Sequence, residues 1–125
     1  MDSTGVGVPV LDLLKNCGVR PIEITITGGE SFSKEGKAFR VPKRELVTTL
    51  VALFESRRLR CAAGLSHGAE FIEELLNFKV RINQRTGHDS YGAVSNAMHD
   101  DLVLAVSMGC WYAEYSLTLQ SAWKR

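Results

Sequence analysis

The chain has 125 residues, 45% of them apolar and 23% charged, with 15 basic and 14 acidic side chains and a formal charge of +1. That length supports one domain and not two ordinary ones, and the near-neutral balance excludes a partner selected by global charge. Cys17, Cys61 and Cys110 form no CxxC pair, and an odd count does not suit a disulfide framework; both features fit a reducing compartment.

Met1 is followed at once by Asp2, so no secretory signal is expected. "DSTGVGVPVLDLLKNCG" reads as a Gly-rich turn and then a short helix. Val10, Leu13 and Leu14 fall at helical spacing, and Gly18 stops the helix. "VRPIEITIT" alternates and is rich in β-branched residues, which predicts a strand over about 22–27 closed by Gly28-Gly29. "ESFSKEGKAFRV" places Gly36 among polar residues, as in a loop or exposed hairpin. Pro42 opens a helix with Leu46, Leu50, Leu53 and Phe54 on one face. "RLRCAA" is a short strand candidate. "HGAEFIEELLNF" is an amphipathic helix, with Phe71, Leu75 and Phe78 on one side and Ile72 and Leu76 beside them. "KVRINQ" alternates like a strand, and "RTGHDSYGAVSNAM" reads as a polar loop or short irregular helix. A long helix follows from about His99. Its uncharged run, 102–113, is too short for a membrane span and is bounded by Asp101 and Glu114. The order of helix, strand, hairpin, helix, strand, helix, strand and helix favours an α/β architecture around a sheet.

Asp100 and Asp101 open the terminal helix, and two readings apply. In the first they cap the positive end of the helix dipole. In the second they hold a divalent cation: paired carboxylates repel unless a cation or proton intervenes, and Mg²⁺ and Mn²⁺ prefer oxygen ligands. The apolar helix behind them pins the first turn, which favours a fixed site. His99 either orients a ligand or water or is simply a neighbour of the cap. Asp2 precedes a tight glycine turn, where the strands of open α/β sheets end and their sites form. It also stands where a strand should have carried it, with only Met1 ahead. Lys34, Lys37, Arg40, Lys43 and Arg44, interleaved with Phe32 and Phe39, suit a phosphate backbone or else form a solvated loop and helix start. Arg57, Arg58 and Arg60 read as solvated. "TGVG" is not a Walker A loop, no nucleophile elbow is present, and His67, His88 and Asp89 lack metal-ligand spacing.

"DSTGVGVPVLDLL", "IEITITGG", "VPKRELVTTLVALFESRRLR", "EELLNFKVRI" and "HDDLVLAVSMGCWYAE", in that order and over nearly the whole chain, resemble the nuclease domain of large terminase subunits. These are DNA-packaging proteins of tailed phages and prophages. The resemblance implies a ribonuclease-H-like fold: a mixed sheet flanked by helices, with acidic residues holding two Mg²⁺ or Mn²⁺ ions that cleave the phosphodiester bonds of double-stranded DNA. Asp2 matches the acid before the "TG" turn. Asp100 and Asp101 match the acidic pair, with Asp101 the closer ligand and Asp100 an auxiliary one; His99 stays the auxiliary candidate of the residue reading. Thr27, Gly28 and Gly29 match the strand end near the DNA path, and Lys43 matches the basic position of "VPKREL".

The family's earlier strands, the first with an essential acid, and its ATPase motor have no counterpart here. The chain therefore resembles the C-terminal half of the domain. That implies an incomplete metal site, weak or absent cleavage, and an exposed sheet edge covered by self-association as a homodimer. Other packaging proteins are further implied partners, a membrane is not, and the expected location is the cytoplasm of a bacterial host. Two alternatives stay open: a non-catalytic DNA-binding or assembly remnant of the same fold, and a small α/β domain whose acidic pair only caps a helix.

Overall fold

The computed structural model describes residues 1–3, 7–82, 89–93 and 100–122, with only the backbone for 79–82 and 89–93. The described elements are α1 (Gly7–Asn16), β1 (Glu23–Thr27), β2 (Ser33–Glu35), β3 (Ala38–Pro42), α2 (Lys43–Glu55), α3 (Gly68–Asn77), β4 (Phe78–Ile82), β5 (Asp89–Ala93) and α4 (Asp101–Ala122). The class is mixed α/β, as the alternation of strand and helix patterns predicts. Two compact units divide the chain, Met1–Glu45 and Leu46–Arg125.

The first unit is built on a three-stranded mixed sheet in the order β1-β3-β2. β3 runs parallel to β1 and antiparallel to β2, so the chain skips a place in the sheet and fills it on the way back. The register pairs Ile24 with Phe39 and Ile26 with Val41. Partners across a ladder share a face, and this face is the apolar one: Ile24, Phe39 and Val41 are buried. The opposite face carries Glu23, Thr25, Thr27 and Arg40. Gly36, at φ +61°, takes the left-handed conformation that the tight β2–β3 turn needs.

α1 differs from its sequence reading. Leu11 is the buried side chain, whereas Val10 is 45% and Leu13 63% exposed. The spacing of Val10, Leu13 and Leu14 is helical, but tertiary packing turns the neighbouring register inward. Pro42 is the last residue of β3 rather than the first of α2, and Lys43 opens the helix.

In the second unit Leu50, Phe71 and Val103 are buried together, and Phe54, Leu59, Leu75, Phe78, Leu102, Val106 and Cys110 pack against them. Phe54 and Phe71 lie 6.1 Å apart in a tilted pair. α2 buries Leu46, Leu50 and Leu53 of the stripe its periodicity predicts and Val47 besides, while Phe54 is half-buried. "RLRCAA" is not a strand. The amides of Arg58 and Leu59 both donate to the Leu53 carbonyl, and Arg57 takes φ +57°. This is a left-handed helix stop that leaves the segment as a turn.

The stretch expected as a loop or irregular helix contains β5, paired antiparallel with β4 from Phe78↔Ala93 to Ile82↔Asp89. "DSYGA" has weak strand propensity, and the neighbouring β4 supplies the ladder that its own sequence does not announce. α4 runs on well past the uncharged stretch, to Ala122. It is the one described helix long and apolar enough, by length and composition, to cross a membrane. Yet Val103, Ser107 and Trp111 are buried along it, and Glu114 is ion-paired to Arg58.

Candidate functional site

Asp2 does sit in a strand-like setting. It forms an isolated parallel bridge with Ile24. The Ser3 amide donates to the Ile24 carbonyl at 2.8 Å, and the Ile24 amide donates to the Met1 carbonyl at 2.9 Å. The Ser3 and Thr25 hydroxyls are 2.8 Å apart. Residues 1–3, α1 and β1 thus form a short β-α-β unit, with Asp2 half-buried on the same side of the ladder as Ile24. Gly7 closes it. A Cβ there would fall on the Asp2 carbonyl oxygen, so the helix start can lie against this backbone only without a side chain.

The other candidates of this unit do not form one patch. Thr27 is in register with Pro42, which puts Thr27, Gly28, Lys43 and Arg44 at one end of the sheet. Asp2, level with Ile24, is three residues back along β1 from Thr27, roughly 10 Å at the rise of a strand. Lys34 faces the apolar side, its Nζ 5.3 Å above the ring of Phe39. Arg40 is on the opposite side, across from Ser33. Lys37 lies in the β2–β3 turn, at the end of β3 away from Lys43. Strand alternation therefore separates cations that are close in sequence.

At the mouth of α4 the geometry is specific. The Asp100 carbonyl accepts the Leu104 amide at 3.0 Å, which makes Asp100 the N-cap residue and Asp101 the first helical one. An N-cap side chain ordinarily accepts the next amides of the first turn. Here the Leu102 and Val103 amides donate to Oε2 of Glu74, at 3.0 and 3.1 Å. A carboxylate from α3 thus takes two of the orphan donors and faces the positive end of the helix dipole. Val103 is fully buried beside this contact. Asp100 is half-buried and Asp101 exposed.

Glu74 is the residue the sequence reading missed. The signal was there: Glu74 lies three residues after Phe71 and four before Phe78, so helical spacing sets an acid among apolar, core-facing side chains. The Arg58 cluster is also not simply solvated. Arg58 donates two hydrogen bonds to Glu114 of α4, at 2.8 and 2.6 Å, and this pairing with the carboxylate holds the guanidinium above its ordinary pKa. The Cys110 thiol is pushed up by burial and then by the nearby Glu114 carboxylate.

The acidic candidates fall in separate units, Asp2 in Met1–Glu45 and Asp100 and Asp101 in Leu46–Arg125. Among the described residues no three His, Cys, Asp or Glu side chains form a group that would hold a metal ion. His99 lies outside the described residues, as does His88. No protein-family model matches the chain, and neither a curated protein nor a solved structure matches it.

Proposed function

We propose that the chain is a ribonuclease-H-like nuclease module of the large-terminase type, encoded by a phage or prophage and working on double-stranded DNA in the cytoplasm of a bacterial host. One observation supports the reading beyond the resemblance. The acidic pair stands on a helix whose first turn is fixed twice over, by Glu74 through two hydrogen bonds and by the buried Val103. Metal ligands need that kind of rigid support. Asp2, in an isolated bridge to Ile24 with Gly7 packed on its carbonyl, also has a fixed backbone. In this reading Asp100 and Asp101 of one unit, and Asp2 of the other, are each ligands for Mg²⁺ or Mn²⁺, which would activate water for phosphodiester cleavage. Thr27, Gly28, Lys43 and Arg44 would meet the DNA at the end of the sheet.

A second reading, that the acidic pair has only a structural role, draws on the position of Asp100 as N-cap residue and of Asp101 in the first turn. Plasmid cleavage in Mn²⁺, together with Mn²⁺ titration calorimetry, separates the two. The nuclease reading expects metal binding that Asp101→Asn weakens, and nicking that both Asp101→Asn and Asp2→Asn abolish. Metal binding without nicking would make the chain a non-catalytic relative of the fold. Absence of both, with Asp101→Asn changing only stability, would refute the nuclease reading.

A further inference from the structure

The side of α3 turned away from Phe71 is apolar and uncovered. Ile72 is 39% and Leu76 77% exposed, and Leu65 in the preceding loop is 56% exposed. Helical spacing sets Ala69, Ile72 and Leu76 in one row. The loop from Cys61 to Leu65 stands across from that row, and between them runs an open groove of about 750 Å³. Gly64, at φ +86°, lets the loop turn back to form this wall. At Gly68 a Cβ would come within 3.3 Å of Leu65, so a small residue keeps the groove open at that end.

One border of the groove carries an acid, Glu73, with a second acid further out on the helix. Glu73 and Asn77 line the groove, and Glu70 follows on the solvent side of the helix, with His67 Nδ1 2.6 Å from its carboxylate. "GAEFIEELLN" contains Glu70, Glu73 and Glu74 and no lysine or arginine. Arg60 lines the adjoining apolar cavity rather than this groove. Two copies of the face brought together would oppose Glu70 and Glu73 to one another with no cation on either helix, a juxtaposition that costs affinity. A second copy of this chain is therefore the wrong occupant.

The geometry points to a basic amphipathic helix as the partner that this groove accepts. Its aliphatic side chains, three and four residues apart, would fill the space between Leu65 and Leu76, and its lysines or arginines would meet Glu73 and Glu70. This inference does not depend on the nuclease reading.

Fluorescence anisotropy tests it with a labelled synthetic helix of about four turns, leucines on one face and lysines on the other, and with a twin carrying glutamates for the lysines. The lysine peptide is expected to bind saturably and more tightly than its twin. Leu76→Glu should weaken it about tenfold or more. Glu73→Lys should weaken the lysine peptide and strengthen the glutamate twin. Leu119→Glu, on an exposed apolar residue of α4, should change neither. Far-UV circular dichroism on each variant checks that the exposed substitutions leave the fold intact. Equal binding of the two peptides, unchanged affinity in Leu76→Glu, or a homodimer that Leu76→Glu dissolves would each overturn the proposal.

Discussion

Replacing Glu74 tests whether α4 is held at its mouth from outside its own sequence. The Leu102 and Val103 amides share Oε2 of Glu74 at 3.0 and 3.1 Å. A hydrogen bond to a charged group is worth about 1.5–3 kcal/mol net, and losing a cap costs about 0.5–2 kcal/mol. Both donors meet a single oxygen, so the two bonds do not add in full. Glu74→Ala is expected to destabilise by about 2–3 kcal/mol, because two amides beside a buried Val103 lose their acceptor. Glu74→Gln keeps a carbonyl acceptor and loses the charge facing the helix dipole, a term of about 0.3–1 kcal/mol. Urea unfolding followed by far-UV circular dichroism reads both values from the midpoint at constant slope. Hydrogen exchange at Leu102 and Val103 gives the local answer, since Glu74→Ala should speed exchange there before it does so elsewhere in α4. Asp100→Ala, which removes the N-cap side-chain acceptor, is the control. A larger loss from Asp100→Ala than from Glu74→Ala would show that the N-cap side chain carries the helix start, and the argument would fail. Equal, negligible losses from the two Glu74 variants would refute it as well.

Gly7→Ala should destabilise by about 1–3 kcal/mol, the range of an overpacked site, because its Cβ meets backbone at Asp2; a neutral effect in thermal melts would contradict the close approach of α1 to residues 1–3. Thiol labelling followed by mass spectrometry should modify the exposed Cys17 and Cys61 quickly and the half-buried Cys110 slowly. Burial and the Glu114 carboxylate disfavour the Cys110 thiolate, so its labelling should need a higher pH than an ordinary thiol; equal rates for all of them would count against that environment. Self-association, expected from the resemblance, should appear in light scattering as twice the 13.8 kDa chain mass. Leu13→Glu, on an α1 side chain that is 63% exposed, should reduce it to the monomer; a wild-type monomer at high concentration would end that expectation.

The elements legible in the sequence are those whose pattern is set locally. α2 shows its buried stripe in Leu46, Leu50 and Leu53, and β1 shows its strand in the alternation around Ile24; the segment of β3 reads as a loop or exposed hairpin, and its place between β1 and β2 is what buries Phe39 and Val41. The Gly36 turn is equally local, because only a residue tolerant of positive φ fits it. What the sequence hides is set by partners. "RLRCAA" has strand-like residues and no neighbouring strand among the described residues, while Leu53 offers its carbonyl to two amides of the segment and makes it a turn. "DSYGA" is weakly strand-like, but β4 lies alongside. In α1 a window of apolar residues leaves several possible inward faces, and packing selects the one with Leu11.

The same division explains the candidate site. Asp100 and Asp101 are visible from sequence because a helix start has its own grammar, and the structure starts α4 at Asp101, two residues past the expected His99. That grammar assigns capping to the residue at the cap, and it cannot see an acceptor arriving from another helix. Glu74 supplies such an acceptor to the amides of Leu102 and Val103 from α3, a contact set by packing and not by the order of residues at the helix start. The dipole at this end of the helix favours negative charge, by about 0.3–1 kcal/mol for each acid near it. Mn²⁺ titration of Glu74→Gln separates that structural role from the metal role proposed for Asp100 and Asp101: the variant retains an acceptor for the two amides, so affinity should hold if Glu74 serves the helix start alone, and a fall would refute that assignment.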